Sequence, residues 1–150
     1  MKEQIQQLCE WYGDGSDGSS PTAAQWNRIL AQPLNQPITL INFFKLRKNA
    51  LYDSNDVHSG IPVTGSEAFD SYATVSIPTM QKIGGKFLHV GPFSGTFLGN
   101  EEDWDMVAIG VYPNLEALLA LYTDEDYRRA FTHRTAACER QTVLTCANFD

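Results

Sequence analysis

The chain is poor in basic residues. Eleven Lys and Arg stand against 18 Asp and Glu, a formal charge of −7. Nucleic acids and anionic membranes are held largely through Lys and Arg, so neither is expected as a partner. Cysteine is scarce and odd in number: Cys9, Cys138 and Cys146, with no CxxC spacing. That excludes a disulfide framework and makes a reducing cytoplasm the expected location. No apolar run approaches the roughly 20 residues of a membrane span. The opening MKEQIQQLCEWYGDG lacks the apolar core of a signal peptide. The chain also contains no P-loop, no HExxH and no GxSxG. Its histidines, His58, His89 and His133, fall on three different segments. Neither a metal nor a bound cofactor is therefore expected.

The chain does have enough apolar material for a core. Of 150 residues, 43 % are hydrophobic and 19 % charged, which fits one globular domain. Ile5, Leu8, Cys9 and Tyr12 recur with the period of one helix face. GDGSDGSS, Gly13 to Ser20, reads as a flexible connector, because the alternating acids and distal Glu of a calcium loop are missing. Ser20-Pro21 predicts the start of a second helix with Trp26, Ile29 and Leu30 on its buried stripe. Residues 1–37 thus read as a helical extension ahead of a domain at 38–150.

Ile38 to Leu46, ITLINFFKL, is short and rich in β-branched and aromatic residues, and predicts a first strand. Residues 47–63 have loop composition, with His58 read as solvated. Thr64 and Glu67 form a capping-box pattern. The helix after it carries Phe69, Tyr72, Ala73, Ile77, Met80 and Ile83 on one face, up to Gly84-Gly85. A hairpin follows. Its first strand is predicted from Lys86 past Gly91-Pro92 to Leu98, its second from Trp104 to Tyr112. Two helical pieces meet at Asp124, the second carrying Tyr127, Phe131, Arg134 and Cys138 on one face. TVLTCANF, Thr142 to Phe149, predicts the last strand.

Strand, helix, strand, strand, helix, strand is the ferredoxin-like βαββαβ order, an α+β fold with a four-stranded antiparallel sheet. Both faces of the predicted strands are apolar, and two helices cover only one. A homodimer joined through the open faces is expected, unless the N-terminal helices fold over that face.

Several stretches together resemble the DUF1330 family: NFFKLR, VTGSEAFDSYA, IGGKFLHVGPF, EEDWDMVAIGVYP and DEDYRRAFTHRTAACE. The resemblance runs from about Ile38 to Phe149. It implies membership in the dimeric α/β-barrel superfamily, whose members include cofactor-independent monooxygenases, lactone isomerases and haem enzymes.

Six polar or aromatic positions are candidates for ligand binding: Asn42, Tyr72, His89, Trp104, Asp105 and Arg134. Asn42 shares a strand face with Leu40 and Phe44; it bonds either a loop or a ligand. His89, read as sharing a face with Phe87, is a paired histidine or an acid/base group. Asp105 and Arg134 are read either as a helix-to-sheet salt bridge or as separate groups. In the second case Arg134, His89 and Asn42 line a cavity and Arg134 clamps a carboxylate or enolate. Tyr72 reaches a cavity or a carbonyl, and His89, Tyr72 and Arg134 are the catalytic candidates. Three functions follow: a small-molecule enzyme of the monooxygenase or isomerase kind, a non-catalytic ligand-binding or regulatory dimer, and a haem-handling protein suggested by Asn42, Trp104 and a histidine.

Overall fold

The computed structural model describes residues 1–149. Two helices open the chain, α1 (Lys2–Tyr12) and α2 (Ala23–Leu30). Then come β1 (Ile38–Leu46), α3 (Gly65–Lys82), β2 (Lys86–Pro92) and β3 (Met106–Tyr112). Helices α4 (Leu115–Thr123) and α5 (Glu125–Ala137) lead into β4 (Cys138–Cys146). The strands form one antiparallel sheet in the order β2-β3-β1-β4, the ferredoxin-like arrangement.

Local chemistry explains the boundaries. Thr64 caps α3 by accepting from Glu67 N, and Asn114 and Asp124 cap α4 and α5 in the same way. Gly65 starts α3 hard against the end of β1: a Cβ there would lie 2.0 Å from the Arg47 carbonyl oxygen. Helix α2 is capped at Thr22, two residues beyond the predicted Ser20-Pro21. Thr22 and Gln25 bond each other's backbone in a complete capping box. The hairpin strands are shorter than predicted. Pro92 has no N–H to continue a ladder, and β2 stops there. Residues 93–105 leave the sheet, with Phe97 and Leu98 fully out in solvent. Strand β4 begins at Cys138, four residues before the predicted start, because Cys138 turns extended straight after α5.

Register assigns the faces, since directly opposed residues on antiparallel strands share one face. Leu40, Phe44, Ala108 and Tyr112 are buried under α3, α4 and α5. The alternate positions Ile41, Phe43, Val107, Ile109 and Val111 face the other way, are half-buried and belong to neither core cluster. The N-terminal helices do not cover them. Tyr12 packs edge-on against Tyr122 and Phe131, Trp26 packs edge-on against Tyr122, and the Tyr12 hydroxyl donates to the Tyr122 carbonyl at 2.6 Å. Leu8, Trp26 and Leu30 thereby share a core with Leu118 and Tyr127 on the helical side.

Candidate functional site

Helix α5 carries Phe131 and Arg134 on its inner face, and Arg134 is only 5 % exposed. Its Nε donates to Gln141 Oε1 at 2.8 Å and its Nη1 to the Tyr72 hydroxyl at 3.2 Å. The Tyr72 hydroxyl is in turn bonded to that of Tyr127 at 2.8 Å. The guanidinium lies over three rings: Phe44 at 4.8 Å, Phe131 at 5.2 Å and Tyr72 at 5.5 Å. Its remaining N–H groups have no partner among the described residues. Arginine keeps its proton even when buried, so a full charge sits in the core with no carboxylate near it.

The expected salt bridge with Asp105 is absent. Asp105 precedes β3 beside Lys45, 3.6 Å from its Nζ, and accepts from Leu46 N at 2.7 Å. Its carboxylate is thus tied to the C-terminal end of β1.

Arg134 lies at a cavity of about 300 Å³ between the helical layer, β4 and the N-terminal segment. Leu40, Leu118, Tyr122 and Phe131 form its apolar wall; Gln141, Val143 and Thr145 come from β4; Trp26, Arg28, Ile29 and the Gly15–Pro21 loop close it. Among the described residues no acidic side chain lines it, and neither does a histidine or cysteine. Two buried polar atoms of wall residues, Trp26 Nε1 and Ser20 Oγ, have no hydrogen-bond partner.

The loop that closes the cavity is built, not merely connecting. Asp14 accepts from Ser16 N and Oγ, and Asp17 from Ser19 N and Oγ. Gly15 adopts φ +76°, and a Cβ there would come within 2.6 Å of the Ser20 oxygen. Gly13, Gly15 and Gly18 have GxGxxG spacing. They follow a helix, however, and lack the strand-turn-helix setting of a dinucleotide loop.

The other sequence candidates are dispersed. Tyr72 stands behind Arg134 and touches it. Asn42 is on the helical face, where its Nδ2 donates to the Ala108 carbonyl at 3.0 Å. His89 is exposed on the opposite face from Phe87. A register shift between Phe87 and His89 pairs them with the consecutive residues Gly110 and Ile109, which point to opposite faces. Trp104 is buried on the open side of the sheet, tilted against Phe43 and under the Arg140 guanidinium at 3.9 Å. Of the cavity residues missed in the sequence, Trp26 and Tyr122 looked like helix stripe, Ser20 like a cap, and Gln141 lay just ahead of the predicted last strand.

A second, smaller cavity of about 260 Å³ lies under the 47–63 loop. There His58 is not simply solvated. Its Nδ1 and backbone N both meet Asp56 Oδ1, at 2.7 and 2.8 Å, because the loop turns sharply enough to bring positions two apart together. Its ring stacks on Tyr52 and meets His133 edge-on at 4.9 Å. The Tyr52 hydroxyl bonds His133 Nδ1 at 2.7 Å. Burial first, and the neighbouring His58 second, hold His133 below its ordinary pKa.

Comparison with known proteins places this architecture. A family model described as a domain of unknown function, DUF1330, matches residues 59–147. The crystal structure of the methylated RPA0582 protein is similar at 31 % identity and a TM-score of 0.78, over 87 % of this chain and 94 % of that one. A structure of the RPA0582 protein of unknown function from Rhodopseudomonas palustris, a structural genomics target, is similar at 30 % identity and a TM-score of 0.76. It covers 87 % of this chain and 96 % of its own. That coverage is more than residues 38–150 alone could supply, so the likeness extends into the N-terminal segment. No curated protein matches the chain.

Proposed function

The chain belongs to the DUF1330 family, defined as a domain of unknown function, and on that footing we propose that it binds a small organic molecule in the Arg134 cavity and works as a homodimer joined through its sheets. The observation that carries the binding role is the buried guanidinium, without a carboxylate, at the wall of a cavity of about 300 Å³. Ligand sites are concave, mostly apolar and furnished with a few convergent polar groups. Binding is favoured over acid/base turnover by the lining. General acid/base catalysis uses a group that titrates near the working pH, and among the described residues the titratable wall groups are Arg28, Arg134 and Tyr122. Burial, chiefly, pushes the Tyr122 phenol above its ordinary range. A haem site built on Asn42, Trp104 and His89 is not supported, because Asn42 lies on one face of the sheet and Trp104 and His89 on the other.

The dimer reading rests on the uncovered face. Seven residues along each of four strands span roughly 450 Å² of sheet, at about 3.3 Å per residue and 4.8 Å between strands. Ile41, Phe43, Val107, Ile109, Val111 and Leu144 populate it, and a contiguous apolar patch on a sheet face marks an interaction surface. A twofold axis lets this face cover itself. Since α1 and α2 pack on the other layer, a second copy is the remaining cover of fitting shape.

Thermal melts against a library of small organic acids, amines and neutral compounds test the binding role. Some compounds are expected to raise the melting temperature of the wild type but not of Arg134→Met. A library that gives no Arg134-dependent shift would rule the reading out.

A further inference from the structure

The geometry points to an organic monocarboxylate with an apolar body as the ligand, its carboxylate shared between Arg134 and the indole N–H of Trp26. This inference rests on the binding role assigned above to the same cavity and names the chemistry that fills it. Among the described residues, the unengaged side-chain groups with a fixed role in the wall, on Arg134 and Trp26, are donors. Arg134 uses Nε and one Nη1 hydrogen on Gln141 and Tyr72, which leaves a fork of N–H groups free. Trp26 is 2 % exposed, and its Nε1, donor only, has no partner. The Ser20 hydroxyl is also unpartnered. The Gln141 carbonyl is already taken by Arg134 Nε. A site made of donors around a cation calls for an acceptor that carries negative charge. A planar guanidinium fork matches a carboxylate edge in two parallel bonds.

Three further observations narrow the class. Burying a lone guanidinium costs several kcal/mol unless an anion compensates it. Among the described residues none does: no Asp or Glu stands in the cavity wall. Next, Arg134 is the one buried cation here, since Arg28 is exposed. A single charge balances a carboxylate and leaves a phosphate dianion half compensated. Last, Leu40, Leu118, Phe131 and Ile29 supply an apolar wall. A volume of about 300 Å³ is that of about ten water molecules, at the ~30 Å³ one occupies in the liquid, and suits a body on the order of ten non-hydrogen atoms. Trp26 and Ser20 both come from the N-terminal segment, so that segment is part of the site and closes it.

Matched acid and amide probes test this on the intact protein. Benzoate, phenylacetate, 3-phenylpropionate and 4-methylpentanoate, each with its primary amide, and inorganic phosphate are titrated at pH 7 by calorimetry. At least one acid is expected to bind at least tenfold more tightly than its amide and than phosphate. In a ¹H–¹⁵N spectrum the Trp26 indole resonance, assigned by its loss in Trp26→Phe, is expected to move downfield with that acid. Trp26→Phe, which keeps the ring and loses the N–H, is expected to weaken the acid about tenfold, as for a bond to a charged group, and to leave the amide unchanged. Amides that bind as well as their acids would overturn the carboxylate and leave the cavity reading intact. Phosphate binding as tightly as any acid would overturn the organic ligand. An indole resonance that stays put while an acid binds would overturn the shared clamp. If neither acids nor amides bind, the monocarboxylate falls; the binding role falls with it only if the wider library of acids, amines and neutral compounds also gives no Arg134-dependent melting shift.

Discussion

At the scale of single residues, Arg134 departs furthest from ordinary packing. Had it paired with Asp105, removal of one partner would cost about 3–5 kcal/mol. Instead it is held by two neutral hydrogen bonds and three rings. Replacing an uncompensated buried charge with an apolar chain of similar length removes a desolvation cost. Arg134→Met is therefore expected to leave the unfolding free energy unchanged or raise it, by on the order of 1 kcal/mol. A loss of several kcal/mol in urea unfolding would show that the charge is compensated after all. The His133 cluster makes a second prediction, on pH. Burial and His58 hold the folded-state pKa of His133 below its ordinary 6.5. The folded protein thus binds this proton less readily than the unfolded chain, and stability is lost as pH falls below about 6.5. Asp56, held low chiefly by its bond from the His58 backbone N–H, acts in the same direction at lower pH. Unfolding midpoints at pH 7 and pH 5 should fall on acidification in the wild type and fall less in His133→Gln. Equal slopes in the two proteins would remove His133 from the explanation.

At the scale of elements, the N-terminal helices are expected to be integral to the cavity rather than an appendage. Leu8, Trp26 and Leu30 are buried in the same cluster as the α4 and α5 residues. Trp26→Ala should cost about 3–5 kcal/mol, as for a large aromatic removed from a core, although Trp26 lies outside the ferredoxin-like unit. Deletion of residues 1–37 should lower the melting temperature, expose Tyr122 and Phe131, and abolish any Arg134-dependent ligand shift while far-UV circular dichroism still reports the sheet. A truncated protein with unchanged melting would mean that these helices stabilise nothing. The helices themselves were readable in advance because apolar spacing and cap residues are local signals. Their docking side was not. An amphipathic stripe states that a face is buried and is silent on which of two apolar surfaces receives it.

At the scale of the whole molecule, the open sheet face governs assembly. Ile109 lies mid-strand on β3 and points away from the helices. Ile109→Asp adds a charge that water can solvate in a monomer and that a closed sheet-to-sheet interface would bury. Light scattering is expected to give about twice 16.7 kDa for the wild type and 16.7 kDa for the variant, with the far-UV spectrum retained. A wild-type mass of 16.7 kDa at micromolar concentration would remove the second copy.

The sequence by itself determined the ferredoxin-like order, the caps at Thr64 and Asp124, and the apolar character of both strand faces. Each follows from local propensity and from periodicity along one strand or helix. It also marked Arg134 as a charge on an apolar stripe. Only the tertiary structure decided what that charge meets. The distance from Arg134 to Asp105 depends on the register of β1 against β3. That Trp26 and Ser20 line the same cavity as Arg134 depends on how a segment more than a hundred residues away docks. His89 makes the same point within one hairpin: a single irregularity after Phe87 moved it to the other face, because side chains alternate with a period of two. Chemistry that depends on three-dimensional proximity is set by packing between distant segments, and no spacing along the chain encodes it.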